Sequence, residues 1–295
     1  GLGDVYKRQI LHNRSIFFSN DDEVKHFLEK RSIENSKKHQ QPATLNVKSN
    51  LDKLTLNDMQ GFRFNFRHEK NQKILYLHGG YNTLQPSPFH WRLLDKLTLN
   101  TLHEVVLPIY PKSPDYHYLE TFKAIRDVYN QLVEEVGANN IVMMGDGSGG
   151  GLALSFVHSL LNDNHELPRK LFLLSPLLDA TLTNPNITKT LEENDILVSR
   201  FGVHQLMKSW TNDLPLSDAR ISPLYGTLKG LPPIYMYGGG REILSPDMHA
   251  FTHALEECGN DVEFKEYPKM VHDFPIYPIR QSHKVLKHIT KSILE

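Results

Sequence analysis

A single segment, residues 141–154 (IVMMGDGSGGGLAL), constrains the fold of this chain more than any other. Residues 141–144 form an apolar run of the kind that buried strands have. A glycine-rich turn follows this run directly, and a helix is predicted to begin near Ser148. The chain must therefore accommodate a strand, a sharp turn and a helix in direct succession.

The glycines of this turn permit two interpretations. Gly145, Gly147 and Gly150 have the G-x-G-x-x-G spacing of a dinucleotide-binding turn, in which backbone amides and a helix N-terminus hold a pyrophosphate. The same segment also matches a nucleophile elbow of the G-x-S-x-G type in which Gly147 stands at the serine position. The rest of the chain has to distinguish a cofactor site from a hydrolytic site.

The composition narrows the classes of partner. The 295 residues carry a formal net charge of -1 and the pI is about 7.1, so the chain lacks the basic field that attracts nucleic acid or an anionic membrane. A small molecule is therefore the expected partner, and the oligomeric state stays open. No apolar run approaches the roughly 18 to 20 residues that a membrane helix needs.

Cysteine usage and the N-terminal residues bear on the compartment. Cys258 is the only cysteine, which excludes an internal disulfide and suits a reducing compartment. Because no secretion signal is recognised either, we expect a cytoplasmic protein. Residues 1–9 (GLGDVYKRQ) have neither an initiator methionine nor an amphipathic pattern, and we do not expect them to belong to the fold.

Strand and helix patterns alternate along most of the chain. This alternation predicts an α/β protein with about eight strands in one mostly parallel sheet, flanked by helices. Two β-like runs, residues 44–56 and 60–67, are separated by a turn and predict a hairpin at a sheet edge.

Two polar, helix-favouring regions lie outside this alternation. Residues 179–221 interrupt the strand and helix rhythm, and an insertion over the edge of the sheet would explain them. We expect this insertion and the N-terminal segment 10–45 to form a helical cap on a main domain of residues 46–295.

Five short motifs occur at predicted strand ends. In chain order they are His78-Gly79-Gly80, residues 145–154, Leu174-Ser175-Pro176, residues 239–244 (GGREIL) and residues 270–274 (MVHDF). In this order they resemble the hormone-sensitive-lipase-like branch of the α/β-hydrolases, which includes carboxylesterases and acetyl-esterase-type lipases. The resemblance covers roughly residues 71–295. It implies the α/β-hydrolase fold and hydrolysis of small, short-chain acyl esters without a cofactor.

The resemblance also assigns the proton-transfer residues. His272, after the last strand, corresponds to the general base, and Glu242, after the preceding strand, to the acid that orients it. The family more often has Asp at the acid position, so Glu242 is a conservative departure. Asp247 is an alternative acid, although a carboxylate at a helix start is an equally good explanation for it.

The loop after the first buried strand corresponds to the oxyanion hole. A histidine-glycine-glycine loop lets main-chain N–H groups approach a tetrahedral intermediate without side-chain obstruction. Gly79 and Gly80 are therefore the predicted donors, with the Ser148 N–H as their partner. The residues expected to line the substrate cleft are His78, Tyr81, Phe89 and Trp91. Aromatic core packing is at least as good an explanation for Phe89 and Trp91. His78 is expected to brace its loop through a hydrogen bond and not to transfer a proton.

The nucleophile position is where the chain departs from the family. Gly147 has no side chain and cannot attack a substrate. Ser148 is a poor substitute, because an elbow centred on it would place Asp146 where a small residue is required. Loss of a triad serine costs on the order of 10⁶ in turnover. We therefore expect a poor hydrolase, and three explanations stay open: a pseudoenzyme that binds a small ligand, a replaced serine, or an unusual nucleophile.

Two other hypotheses have weaker support in the sequence. A dinucleotide site needs its glycine turn after the first strand of a βαβ unit and an acid about 20 residues later. Here several strands precede the turn, and no acid follows the next strand before Asp179. His249 and His253 are spaced to present two imidazoles to a metal, but no third ligand is evident, so no metal site is predicted.

Overall fold

The structure is a computed structural model that describes residues 15–66 and 71–295. These residues form eight strands and eight α-helices. The strands are β1 Asn50–Leu56, β2 Met59–Asn65, β3 Lys73–Leu77, β4 Glu104–Pro108, β5 Ile141–Asp146, β6 Lys170–Leu174, β7 Ile234–Gly239 and β8 Val262–Tyr267. The N-terminal residues 1–9 that we did not assign to the fold lie outside the described residues.

The helices flank the sheet and build the region between β6 and β7. They are α1 Asp21–Ser36, α2 Pro88–Thr101, α3 Tyr118–Val136, α4 Ser148–Asn162, α5 Lys189–Asn194, α6 Arg200–Thr211, α7 Ser245–Glu257 and α8 Arg280–Leu294. Strands and helices alternate from β3 to β6 and from β7 to α8. Within the described parts of the chain, none of these helices combines the length and the hydropathy needed to cross a bilayer.

All eight strands belong to one sheet, in the order β1-β2-β4-β3-β5-β6-β7-β8. The pairs β1–β2 and β2–β4 are antiparallel, and every other neighbouring pair is parallel. The edge hairpin is confirmed, but its first strand begins at Asn50 and not at position 44. The preceding backbone is held by a helix instead, since the Asp95 carboxylate on α2 accepts hydrogen bonds from the amides of Lys48 and Ser49.

The central strands are buried on both faces. In β3, Ile74 and Tyr76 pack into the apolar cluster on the side of α2 and α8. Leu75 and Leu77 point to the opposite side and pack into the cluster of α3, α4 and α7. Side chains alternate between the faces of a strand, so a strand covered on both faces is apolar throughout. This burial fixes the strand ends, and the functional motifs follow those ends.

The N-terminal helix contacts the region between β6 and β7. Position 202 on α6 has no room for a side chain, because a Cβ at Gly202 would lie 2.1 Å from the carbonyl oxygen of Ile16. Near the end of α1, the Asn35 side chain donates hydrogen bonds to the carbonyl groups of Thr83 and Ser113. These contacts place the N-terminal segment against α6 and against the loop after β3, where we predict the cap.

Candidate active site

The turn between β5 and α4 has the geometry of a nucleophile elbow. Gly147 adopts φ +54° and ψ -126°, a conformation that side chains disfavour. A Cβ at Gly145 would lie 2.4 Å from the carbonyl oxygen of Gly149, and a Cβ at Gly149 would lie 2.1 Å from that of Leu77. The positions two before and two after Gly147 therefore both require glycine, which is the spacing expected for an elbow centred on residue 147.

His272 faces the turn at Gly147. It lies in the loop after β8, its side chain is 9% exposed, and its Nδ1 is 2.9 Å from Glu242 Oε1. A Cβ built on Gly147 would be 3.5 Å from His272 Nε2. The structure thus brings three of the predicted site residues together, although they are far apart along the chain.

Glu242 is a buried carboxylate that has hydrogen-bond partners near the ends of several strands. Besides His272, it accepts hydrogen bonds through Oε2 from the Ser175 hydroxyl at 2.7 Å and from the Gly239 amide at 2.9 Å. The Ser175 hydroxyl in turn accepts a hydrogen bond from the Asp273 amide at 3.0 Å. The sequence analysis placed Ser175 in a motif but gave it no role, and the structure shows that it connects the loops that carry Glu242 and His272.

The alternative acid, Asp247, has other contacts. It lies in the first turn of α7, as the helix-start explanation predicted, and it accepts a hydrogen bond from the Asn184 side chain at 3.0 Å. Burial raises the pKa of Asp247 to about 6, and Asp179 adds to the shift while the Asn184 hydrogen bond opposes it. The carboxylate bonded to His272 is that of Glu242.

The charges around His272 favour its protonated form. Burial alone would lower the pKa of the imidazole, but the hydrogen bond and charge of Glu242, together with Asp195, raise it above its ordinary value. Asp195 was not foreseen from the sequence. It is buried in the loop before α6, and it accepts hydrogen bonds from the amides of Ile243 and Val198. In the neutral ring the Glu242 hydrogen bond places the proton on Nδ1, so the Nε2 lone pair faces Gly147.

The oxyanion loop departs from expectation at one residue. The Gly79 N–H donates a hydrogen bond to Asp146 Oδ1 at 3.0 Å, so it is engaged by the protein and is not directed at a substrate. This corrects the prediction that Gly79 supplies an oxyanion amide. Gly80 and Ser148 are the two candidates that are left. The Ser148 N–H is the first of helix α4, and such an N–H has no carbonyl partner within its own helix.

Asp146 is the anchor of this loop. It is fully buried and accepts hydrogen bonds from Gly79, from the Tyr76 hydroxyl at 2.7 Å and from His90 Nε2 at 3.0 Å. Burial disfavours the charged carboxylate, yet the contacts with His90, Asp273 and Tyr76 hold the pKa of Asp146 well below its ordinary value. No feature of the sequence beyond its place before Gly147 indicated this role.

His90, Asp146 and Asp273 form the one group of possible metal ligands found in the described segments of the chain. Two of its members, His90 and Asp146, are joined by a hydrogen bond. The Ser87 amide donates to His90 Nδ1, so the proton of this ring is on Nε2 and points at Asp146. Through His90, the cluster therefore ties the first turn of α2 to the end of β5.

The pair His249 and His253 on α7 does not converge on a common ligand. His249 Nε2 lies 3.0 Å from a Glu266 carboxylate oxygen, and His253 Nε2 lies 3.1 Å from a Glu257 oxygen. Both histidine side chains are more than half exposed. They are surface residues paired with separate acids.

Ser148 begins helix α4, as the sequence predicted. Its hydroxyl oxygen accepts a hydrogen bond from the Tyr81 amide at 2.7 Å. Among residues 15–66 and 71–295, no hydrogen bond joins the Ser148 hydroxyl to His272. The hydroxyl therefore contacts the oxyanion loop and has no adjacent base, which a serine nucleophile requires.

His78 is fully buried beneath the oxyanion loop. Its Nδ1 lies 2.8 Å from the Gly79 carbonyl oxygen, and its ring stacks on Tyr110 with 4.7 Å between centroids. Burial holds the pKa of His78 well below its ordinary value, so the ring is neutral. The structure corrects the expectation that His78 contacts a substrate, because the ring braces its loop from the protein interior.

The aromatic residues predicted for the cleft have different locations. Trp91 is fully buried and makes edge-to-face contacts with Phe62 and Phe64 of β2, so its assignment to the cleft is corrected to core packing. The physical reason is that the first turn of α2 directs Trp91 toward the sheet. Tyr81 and Phe89 are both buried, Tyr81 beside Ser148 and Phe89 against Tyr277, and their role in substrate binding stays a prediction.

Comparisons with known sequences identify the family of this chain. A family model described as alpha/beta hydrolase fold matches residues 74–276. An esterase of Acinetobacter venetianus is 32% identical over 226 residues, which are 76% of this chain and 74% of the esterase. A triacylglycerol lipase of Mycobacterium tuberculosis is 28% identical over 208 residues, which are 70% of this chain and 43% of the lipase.

Solved structures give the same result. A candidate esterase from Staphylococcus aureus superposes with a TM-score of 0.97 and is 63% identical, with 99% of each chain covered. An esterase of the bacterial hormone-sensitive lipase family superposes with a TM-score of 0.80 over 94% of this chain and 99% of that one. At 20% identity this second likeness supports the fold alone. Both superpositions agree with the α/β fold predicted from the sequence, and the sheet of this chain confirms the prediction of about eight mostly parallel strands.

Proposed function

The chain belongs to the α/β-hydrolase family, in its esterase and hormone-sensitive-lipase-like branch, and on this premise we propose that it holds a carboxylic-ester site without a nucleophile of its own. The substrate class is small, short-chain acyl esters. The observation that carries the proposal is the 3.5 Å distance between His272 Nε2 and a Cβ position at Gly147. A base, its acid and a strained elbow meet at this point.

Each group has a defined part in the proposed site. His272 is the general base, and Glu242 fixes its tautomer and stabilises the imidazolium that forms. The amides of Gly80 and Ser148 face the negative charge that develops on the carbonyl oxygen. Stabilisation of this charge is usually the largest single contribution to the rate enhancement in acyl transfer. The cap formed by residues 10–45 and 179–221 would limit the length of the acyl chain.

Gly147 prevents the usual two-step reaction in this proposal. An acyl-enzyme needs an oxygen or sulfur nucleophile between His272 and the ester carbonyl, and glycine provides none. Turnover through a covalent intermediate should therefore be absent. What is left is substrate binding and the stabilisation of charge, which support a residual rate of roughly 10³ to 10⁴ over water in a triad enzyme without its serine.

A second candidate is a pseudoenzyme that binds a small ligand in the same cleft. It is favoured by the contrast between a fully hydrogen-bonded Glu242 and a missing side chain at Gly147. A dinucleotide site has less support. The Gly147 amide, which would have to face a pyrophosphate, donates to the Leu174 carbonyl at 2.9 Å.

The test of the proposed function is the Gly147→Ser variant, measured with p-nitrophenyl acetate beside the unmodified chain and Gly147→Ala. Alanine introduces the same backbone strain as serine without a hydroxyl, so it is a matched control. We expect Gly147→Ser to gain at least about 10³-fold in kcat/KM, because a triad serine is worth up to about 10⁶.

Labelling with a fluorophosphonate probe provides an independent readout. Gly147→Ser should form a stable adduct at residue 147, while the unmodified chain and Gly147→Ala should not. If all three proteins hydrolyse the ester equally slowly, the ester site is not assembled and the pseudoenzyme is the better description. Labelling of the unmodified chain would show that another residue is the nucleophile.

A further inference from the structure

The space beside Gly147 lies next to the basic nitrogen of His272. The three atoms nearest to a Cβ at this residue would be His272 Nε2 at 3.5 Å, His272 Cε1 at 3.6 Å and Gly79 Cα at 4.0 Å. These are ordinary van der Waals separations, so a carbon atom fits there without displacing protein atoms. The space therefore accepts at least one carbon atom between Gly147 and the His272 ring.

The basic nitrogen of His272 borders this space. Nδ1 is bonded to Glu242, so the lone pair of the neutral ring is on Nε2, which is the atom closest to the Cβ position of Gly147. The His272 side chain is only 9% exposed, which shields the base from bulk water. A hydroxyl located beside Gly147 would therefore meet an oriented base without being attached to the chain.

We propose that this space binds a small external nucleophile, water or a primary alcohol of one or two carbons, and that the chain transfers acyl groups to it directly. This inference rests on the proposed ester site. It differs from the serine mechanism because the acyl group never becomes attached to the protein.

The reaction is a single addition and elimination. The nucleophile oxygen forms a bond to the ester carbonyl carbon, and its proton passes to His272 Nε2. The Gly80 and Ser148 amides stabilise the resulting oxyanion. When the bond to the leaving oxygen breaks, His272 returns the proton to that oxygen. Water yields a carboxylic acid, and an alcohol yields a new ester, in each case with release of the original alcohol or phenol.

The experiment compares the unmodified chain with Gly147→Ala, in which a methyl group fills the space. With p-nitrophenyl acetate, we expect the unmodified chain to release p-nitrophenol about 10²-fold faster than Gly147→Ala, since a positioned general base contributes at least that factor. With added methanol, the unmodified chain should form methyl acetate, detected by gas chromatography, faster than the same mixture does without protein. Added tert-butanol should give no ester, because its three methyl groups need more room than the single carbon position beside Gly147.

The outcomes separate this inference from the proposed function. Equal rates for the unmodified chain and Gly147→Ala overturn the external nucleophile, even where Gly147→Ser gains activity and so supports the ester site. If Gly147→Ala does not fold by circular dichroism, the alcohols decide the question with His272→Ala as the control. Methyl acetate formed only by the chain with an intact His272 supports the inference, and equal formation by His272→Ala overturns it.

Discussion

The two sides of the candidate site differ in what holds them together. On one side, Glu242 uses both carboxylate oxygens, and its bonds reach His272, Ser175 and Gly239. On the other side, the elbow is held by close backbone packing at Gly145 and Gly149, and neither contact involves a side chain at Gly147. The close packing that holds the elbow therefore does not require a side chain at its central residue. A chain of this family can lose its nucleophile and keep the turn that would present it.

The largest expected effect comes from replacing Glu242, the acid that orients His272. In the Gly147→Ser background, Glu242→Gln should lower kcat by about 10⁴, since a neutral amide neither fixes the tautomer nor stabilises the imidazolium. The matched control is Asp247→Asn in the same background. Ester hydrolysis kinetics check the prediction. A larger loss for the Asp247 variant would mean that the acid is assigned wrongly.

The next effect breaks the elbow without touching the catalytic groups. Gly149→Ala should destabilise the fold by more than about 3 kcal/mol, because its Cβ would overlap the backbone of β3 and the following loop. Gly147→Ala meets only ordinary contacts, so it should cost about 1 to 3 kcal/mol from backbone strain. Urea denaturation measures both. The comparison fails if Gly147→Ala is the more destabilising variant.

The pH dependence sharpens the role of the charges around His272. The pKa of His272 is raised, so in Gly147→Ser the value of kcat/KM should rise with pH through a pKa above about 6.5, the ordinary value for histidine. Below the raised pKa, activity should fall about tenfold per pH unit. Adding Glu242→Gln should move this limb to lower pH. An unmoved limb would show that Glu242 does not set the pKa of the base.

The raised pKa of His272 also affects the stability of the fold. Activity should rise with pH, whereas this contribution to stability should fall. A group whose pKa is higher in the folded state binds its proton more tightly there, so its stabilising contribution is complete below about 6.5. That contribution is lost as the pH rises through the raised pKa of His272. Thermal melting across this pH range measures the loss. The melting temperature of the unmodified chain should fall more with rising pH than that of Glu242→Gln.

The smallest effect concerns the residue beside the elbow. In Gly147→Ser, the further change Ser148→Ala removes the hydrogen bond from the Tyr81 amide, which is worth about 1 kcal/mol. Turnover should change by less than about tenfold. A loss of several orders of magnitude would identify Ser148 as a nucleophile, and fluorophosphonate labelling of the single variants would show which serine reacts.

Much of the fold was predictable because local patterns repeat. Strands β3 to β7 follow the apolar runs, and a strand buried on both faces has few alternatives. The first strand was predicted too long because the amides of Lys48 and Ser49 bond to Asp95, a residue 46 to 47 positions later. A contact of this range leaves no trace in the pattern of neighbouring residues.

The site was predicted less completely than the fold. Gly147, Glu242 and His272 could be placed together because each follows a strand in a recognisable motif. Trp91 was placed in the cleft from its proximity in sequence to the oxyanion loop, but burial against β2 decides its location. Ser175 carried no distinctive signal, since its importance comes from the partners on either side of it.

The sequence by itself determined that position 147 has no nucleophile and that glycines surround it, because both are facts of covalent composition. The tertiary structure decided which groups those residues meet. Glu242 reaches His272 across 30 positions, the Gly79 amide is bonded to Asp146 across 67, and Ser175 contacts the Asp273 amide across 98. Such pairings depend on which strand ends lie side by side in the sheet, and hydrogen bonds act only over a few ångströms.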